Sequence, residues 1–102
     1  MKLVFHPGAS EELHQALAYC QNQAGATVAQ HFLQQVERGI QLLQAHPLLG
    51  RPTQQGRRSL SLRHFPYSLI YRAQEDCLII LAPRHHHRRP GFGQGRRAPL
   101  TP

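Results

Sequence analysis

The feature that most constrains this chain is a change in hydrophobic period near its middle. Up to about residue 45 apolar residues recur every three or four positions; from Arg58 onward they recur every second position. The first spacing suits helices with one buried face and the second suits strands with one wet face, so a helical first half precedes a β-rich second half. The β half is densest in Phe65-Pro66-Tyr67-Ser68-Leu69-Ile70-Tyr71-Arg72 and in the apolar run Leu78-Ile79-Ile80-Leu81. The former reads as a strand opened by a proline. The latter has so little polar character, from Cys77 to Ala82, that it reads as a central strand covered on both sides. Gln74-Glu75-Asp76 is the hairpin turn between them. A basic segment, Arg84 to Arg89, hangs from the end of the second strand. The expectation is a small antiparallel sheet with arginines and histidines clustered along one edge, its other side covered by everything before residue 50.

In chain order, Lys2 to His6 carries Leu3, Val4 and Phe5 and stops at Pro7-Gly8, the pattern of a short strand ended by a turn. Ser10 offers an N-cap hydroxyl, with Glu11 and Glu12 in the first turn where the helix dipole favours negative charge. Leu13, Ala16, Leu17, Cys20 and Ala24 then form one helical face, with Glu12, His14, Gln15 and Gln23 on the polar one. Gly25 ends this helix. Thr27 with Gln30 fits a capping box for a second helix, whose buried face holds Ala29, Phe32, Leu33, Val36, Ile40 and Leu43 and which stops before Pro47. A link of two or three residues makes the pair an antiparallel hairpin. Leu48 to Gly56 reads as a loop, and Leu60 and Leu62 alternate with Ser59, Ser61 and Arg63 in the next strand. The fold class is α+β, with element order β-α-α-β-β-β and a helical hairpin packed on a small antiparallel sheet.

The 102 residues allow one domain with one modest core, spanning 1–90, followed by a flexible basic tail over 91–102. A hydrophobic fraction of 40% excludes wholesale disorder. The formal net charge is +7, and of the 12 lysines and arginines only Lys2 and Arg38 precede residue 46. Arginine used this heavily suits planar anions, which guanidinium holds through paired hydrogen bonds. Cys20 and Cys77 sit within apolar periodicity and are expected reduced in the core. The N-terminal residues are too short for a signal peptide and no apolar run reaches membrane-span length, so a cytoplasmic protein without membrane contact is expected.

His85, His86 and His87 alternate sides in an extended segment and do not converge on one ion, so neither metal nor cofactor is expected. Gly91-Phe92-Gly93-Gln94-Gly95 lacks the following helix of a dinucleotide fingerprint. What remains is Arg58, Arg63, Arg72, Arg84, His85, Arg88 and Arg89 on strands or strand ends that neighbour one another. Such a set serves either of two ends: stabilising a phosphate in transit with a histidine moving a proton, or binding an acidic partner with no chemistry at all.

These residues also carry a resemblance. His6-Pro7, Ala9 and Glu12-Leu13, then Ala29 to Phe32 and Val36 to Ile40, His46-Pro47 and Gly50-Arg51-Pro52 occur in the order seen in the RelE/ParE superfamily of bacterial type II toxins. The more specific part follows: Arg58 with Leu60 and Leu62, Phe65-Pro66-Tyr67 leading to Ile70-Tyr71-Arg72, Ile79-Ile80-Leu81-Ala82, and His85 with Arg88-Arg89-Pro90. The resemblance implies a toxin held in check by a cognate antitoxin, in a toxin–antitoxin hetero-oligomer, and acting either by inhibiting DNA gyrase or by cleaving mRNA on the ribosome.

Two departures favour the ParE-like side. RelE-like nucleases carry an arginine where Ser68 stands, three residues before Tyr71. They also use a C-terminal tyrosine where Phe92 stands, which has no hydroxyl to move a proton. On the gyrase reading, Arg84, His86, Arg88, Arg89 and Phe92 are the target- or antitoxin-binding residues. On the nuclease alternative, Arg58, Arg63, Arg72 and His85 are catalytic; a third alternative is an inactive relic that only binds antitoxin. ParE-like chains commonly place a tryptophan where this chain has Gly93.

Overall fold

The computed structural model describes residues 1–86. Along the chain lie β1 (Lys2–Phe5), α1 (Pro7–Ala24), α2 (Ala26–Ala45), β2 (Arg51–Pro52), a 3-10 turn (Gln54–Gly56), β3 (Arg58–Ser61), β4 (Tyr67–Gln74) and β5 (Cys77–His85). The α+β class and the helical hairpin are as expected. The expected tail, 91–102, lies outside the described residues.

Both helix starts differ from the sequence reading, for local reasons. α1 begins at Pro7, not after Ser10, because proline's fixed φ suits the first helical position and its missing N–H is one the helix leaves unpaired anyway. His6 is the N-cap, its Nδ1 accepting from the Gly8 N–H at 3.0 Å. The hairpin link is the single residue Gly25, at φ 92, where a side chain would strain the backbone. Its N–H donates to the Gln21 carbonyl at 2.9 Å and its carbonyl accepts from Ala29 at 3.1 Å, so it closes one helix and opens the next. Thr27 is already inside α2 and makes no capping bond.

The sheet has five strands in the order β1-β5-β4-β3-β2, and it is mixed: β1 runs parallel to β5, against the expectation of an antiparallel sheet. Two helices lie between Phe5 and the later strands, and that crossover permits parallel pairing. β5 is flanked on both edges, which accounts for its continuous apolar run. It continues past Ala82 to His85. Opposite β4 it carries one extra residue: Ile70 pairs with Ala82 and Tyr71 with Ile80, leaving Leu81 as a β-bulge. The expected loop over 48–56 contains β2, which pairs Arg51 with Ser59 and Pro52 with Arg58.

The helices cover one face of the sheet. Phe32, Val36, Ile40 and Leu43 pack on Leu62, Leu69, Tyr71, Leu78 and Ile80. Leu33, expected in this core, is only half-buried, as it turns toward β1. A smaller cluster on the opposite face joins Ile70, Ile79, Leu81 and Ala82. The two free cysteines are half-buried, Cys20 against the first cluster and Cys77 against the second. One polar lock fixes the loop before β2: the Tyr71 hydroxyl accepts from the Gly50 N–H at 2.9 Å and donates to the Pro47 carbonyl at 2.8 Å. A Cβ on Gly50 would stand 2.6 Å from that hydroxyl, so the chain passes there only without a side chain.

Candidate partner-binding site

Strand pairing decides which basic residues meet, because residues directly opposite each other share a face of the sheet. Leu69 and Tyr71 belong to the helix-covered core, so Arg58, opposite Tyr71, and His85, opposite Tyr67, lie on the same side as they do. Ser68, Ile70 and Arg72 point the other way. On that second face Ser68 is joined by Arg84 and Ser61, and Arg72 by Ile79. Arg57 extends the row, two residues before Ser59.

The second face carries two polar groups, separated by the apolar cluster of Ile70, Ile79, Leu81 and Ala82. Ser68, only 2% exposed, lies 2.8 Å from the His86 ring nitrogen and 3.3 Å from the Ser61 hydroxyl. The backbone N–H of His86 donates to the Pro66 carbonyl at 2.8 Å, which holds the ring over the serine. At the other end Gln55 gathers two guanidiniums: Arg57 donates to its side-chain oxygen and Arg72 to its backbone carbonyl, each at 2.6 Å. Gln55 does so from the left-handed region, at φ 59. Arg57 is 3% exposed, and burial first, then the nearby charge of Arg72, holds its guanidinium below the usual arginine range. The Nε atoms of Arg72 and Arg84 are buried and have no hydrogen-bond partner among the described residues. Like charges brought together with donors left over are expensive within a fold and characteristic of sites built for a ligand.

The remaining sequence candidates are elsewhere. Arg58 donates to the carbonyls of Gly50 at 2.8 Å and Leu48 at 3.2 Å, a bracing role. Arg63 is exposed in the bend between β3 and β4. His85 packs edge-on to Tyr67, ring centroids 4.9 Å apart. Arg88, Arg89 and Phe92 lie outside the described residues. The basic groups are thus divided between two faces rather than gathered along one edge; Arg72, Arg84 and His86 share the second face, Arg84 and His86 at the Ser68 end and Arg72 at the Gln55 end. Arg57, Ser68 and Gln55 complete this set without having been singled out. The alternation Arg57-Ser59-Ser61 against Leu60-Leu62 is the signal that marks Arg57.

A second surface feature lies across the molecule. Leu3, Phe5, Leu13, Leu33, Val36 and Ile40 line an apolar groove of about 440 Å3 between β1 and the two helices. Among the described residues no group of three or more histidines, cysteines, aspartates or glutamates could hold a metal ion. No described helix is long and apolar enough to cross a membrane.

Fold and site together define a small basic α+β protein with a helical hairpin on one sheet face and arginines, serines and a histidine on the other. Its family follows from comparison. Residues 3–90 match the family described as ParE toxin of type II toxin-antitoxin system, parDE, and the chain belongs to that family. Among solved structures it is similar to a chain of the chromosomal ParDE TA system from P. aeruginosa. The identity is 25% with a TM-score of 0.73, over 83% of this chain and 95% of that one. Comparison with curated proteins gives no match. The protein is therefore a ParE-type toxin of a type II toxin–antitoxin system.

Proposed function

We propose that this toxin stops growth by inhibiting DNA gyrase in the cytoplasm and is neutralised by a cognate antitoxin in a toxin–antitoxin hetero-oligomer. The observation that carries the reading is the division of the candidate charge-moving groups: Arg72 and His85 belong to opposite faces of the sheet, with Arg58 turned to brace a loop. Cleaving a phosphodiester requires a proton-transfer group within hydrogen-bond reach of the atom it serves, beside the cations that stabilise the phosphate. The position three residues before Tyr71 adds to this, since Ser68 there is neutral and engaged with His86.

The antitoxin reading draws on two surfaces. The guanidiniums of Arg57, Arg72 and Arg84, with His86, suit carboxylates, which supply the acceptors that the Arg72 and Arg84 Nε donors lack. The apolar groove lies beside β1, an edge strand of the described sheet, and suits a segment that pairs with that edge while burying alternate apolar side chains. The decisive experiment adds purified toxin to gyrase and relaxed plasmid. Loss of supercoiling is expected; normal supercoiling at saturating toxin, with mRNA cut on ribosomes instead, rejects the proposal.

A further inference from the structure

The loop that joins α2 to β2 is fixed in place and yet presents two large apolar side chains to solvent. Leu48 is 69% exposed and Leu49 52%. Scattered exposed leucines are ordinary on a protein surface, but two in succession on one loop add nothing to the core and call for a reason. Mobility does not supply it. The His46 N–H donates to the Leu42 carbonyl at 2.8 Å, and the Leu49 N–H to the His46 carbonyl at 3.0 Å. The Tyr71 hydroxyl takes the Gly50 N–H and holds the Pro47 carbonyl, while Arg58 donates to the carbonyls of Leu48 and Gly50. A fully buried tyrosine and an arginine of β3 are thus committed to the backbone of this loop, and the leucines stand on a rigid base.

Rigidity of this kind favours binding, because an ordered loop loses little further freedom when a partner closes on it. The chemistry of the tip narrows the partner. Leucine makes no hydrogen bond to phosphate or base and gains by leaving water, which suits an apolar pocket on a protein. Arg51 and His46, both exposed, flank the pair, and the sequence holds no acid between Glu37 and Glu75. The complementary surface is therefore an apolar pocket with carboxylates at its rim. A second copy of this chain, with five acids and a net charge of +7, is poorly suited to supply one. Shape narrows the partner further. The groove beside β1 is concave and takes an extended segment, whereas the loop over 46–50 is convex and needs a pocket already formed in a folded partner. Of antitoxin segment and gyrase, the folded enzyme meets that requirement.

We propose that Leu48 and Leu49 are the contact through which this toxin engages an apolar pocket on the gyrase protein. The proposal rests on the gyrase reading and adds the part of the toxin that makes the contact. Native toxin and a variant combining Leu48→Ser with Leu49→Ser, both as full chains, are titrated into gyrase and relaxed plasmid. The variant should need at least about tenfold more protein for half-inhibition, since the burial of two leucines is lost. Its melting midpoint should match that of the native chain, both positions being exposed. Leu48→Met with Leu49→Met, apolar and of similar volume, should inhibit within about twofold of the native chain. Val28→Ser, which removes an exposed apolar side chain from the other end of α2, should leave inhibition unchanged. Full inhibition by the serine variant, or as large a loss in the methionine variant, would overturn the proposal alone. So would an oligomer or a plasmid complex of the native toxin that the serine variant loses, since the leucines would then serve another copy or DNA. A native chain that leaves gyrase active would overturn the gyrase reading and this proposal with it.

Discussion

On one face of the sheet Leu69, Tyr71, Leu78 and Ile80 are closed over by Phe32, Val36 and Leu43; on the other, Arg84 stands beside Ser68 and His86, with Arg72 farther along beside Gln55. The same two strands build both, since alternate residues of β4 and β5 point to opposite sides. The helical face gains stability from apolar burial and carries little polar chemistry. The second face spends part of that stability, because the buried Nε donors of Arg72 and Arg84 have no hydrogen-bond partner among the described residues. Side chains adjacent in sequence therefore go to different surroundings, Leu69 and Tyr71 to the apolar core and Ser68 and Arg72 to polar partners on the opposite face.

That contrast can be broken by substitution. The largest effect belongs to the covered face: Leu78→Ala, at a fully buried position, should cost about 2 to 5 kcal/mol in urea unfolding. This is a large part of the roughly 5 to 15 kcal/mol that holds a small domain together. Tyr71→Phe should come next. It strands the Gly50 N–H and the Pro47 carbonyl, a loss of about 1 to 3 kcal/mol.

Tyr71 also gives a pH test. Burial pushes its phenol above the usual range, against smaller opposing effects from the Gly50 N–H and the charge of Arg58. The unfolded chain ionises this group first, so its contribution is intact below the ordinary tyrosine pKa of about 10 and declines as pH rises beyond it. Thermal melts across that window should fall more steeply for the native chain than for Tyr71→Phe; parallel melts would exclude Tyr71 as the source.

On the second face stability and activity should part company. Arg84→Met removes a half-buried guanidinium whose Nε is unsatisfied, so the melting midpoint should hold or rise, with unfolding free energy changed by less than about 1 kcal/mol. Growth inhibition on induction should nonetheless fall. A variant that unfolds, or one that stays fully toxic, would collapse the distinction between the faces. At the start of α1, His6→Ala removes one capping bond and should cost about 0.5 to 1 kcal/mol.

Much of the covered face was legible from spacing. The recurrence of Phe32, Val36, Ile40 and Leu43 marks the buried side of α2, and the alternation of Leu60 and Leu62 marks β3. Helix starts were less so, because Ser10 and Thr27 have the right chemistry but Pro7 and Gly25 have the stronger backbone preference. The parallel pairing of β1 with β5 leaves no local trace, being a contact between residues about 75 apart, such as Lys2 and Cys77. The site was legible as composition and not as geometry. Arginines and histidines were visible, but which of them share a face depends on register. Gln55 holds Arg72 through a backbone carbonyl and does so at a left-handed φ, neither of which its residue type announces.

The bulge at Leu81 has a consequence for how such a toxin diversifies. Counting from Leu78, an uninterrupted strand would send Arg84 toward the helices and His85 toward Arg72; the one unpaired residue inverts that parity for everything after it. Removing Leu81 would thus exchange the outward residues of the strand's second half wholesale while altering none of their identities. A lineage could invert which side chains that strand end presents by gaining or losing a single codon, a shorter path than rebuilding the surface one residue at a time.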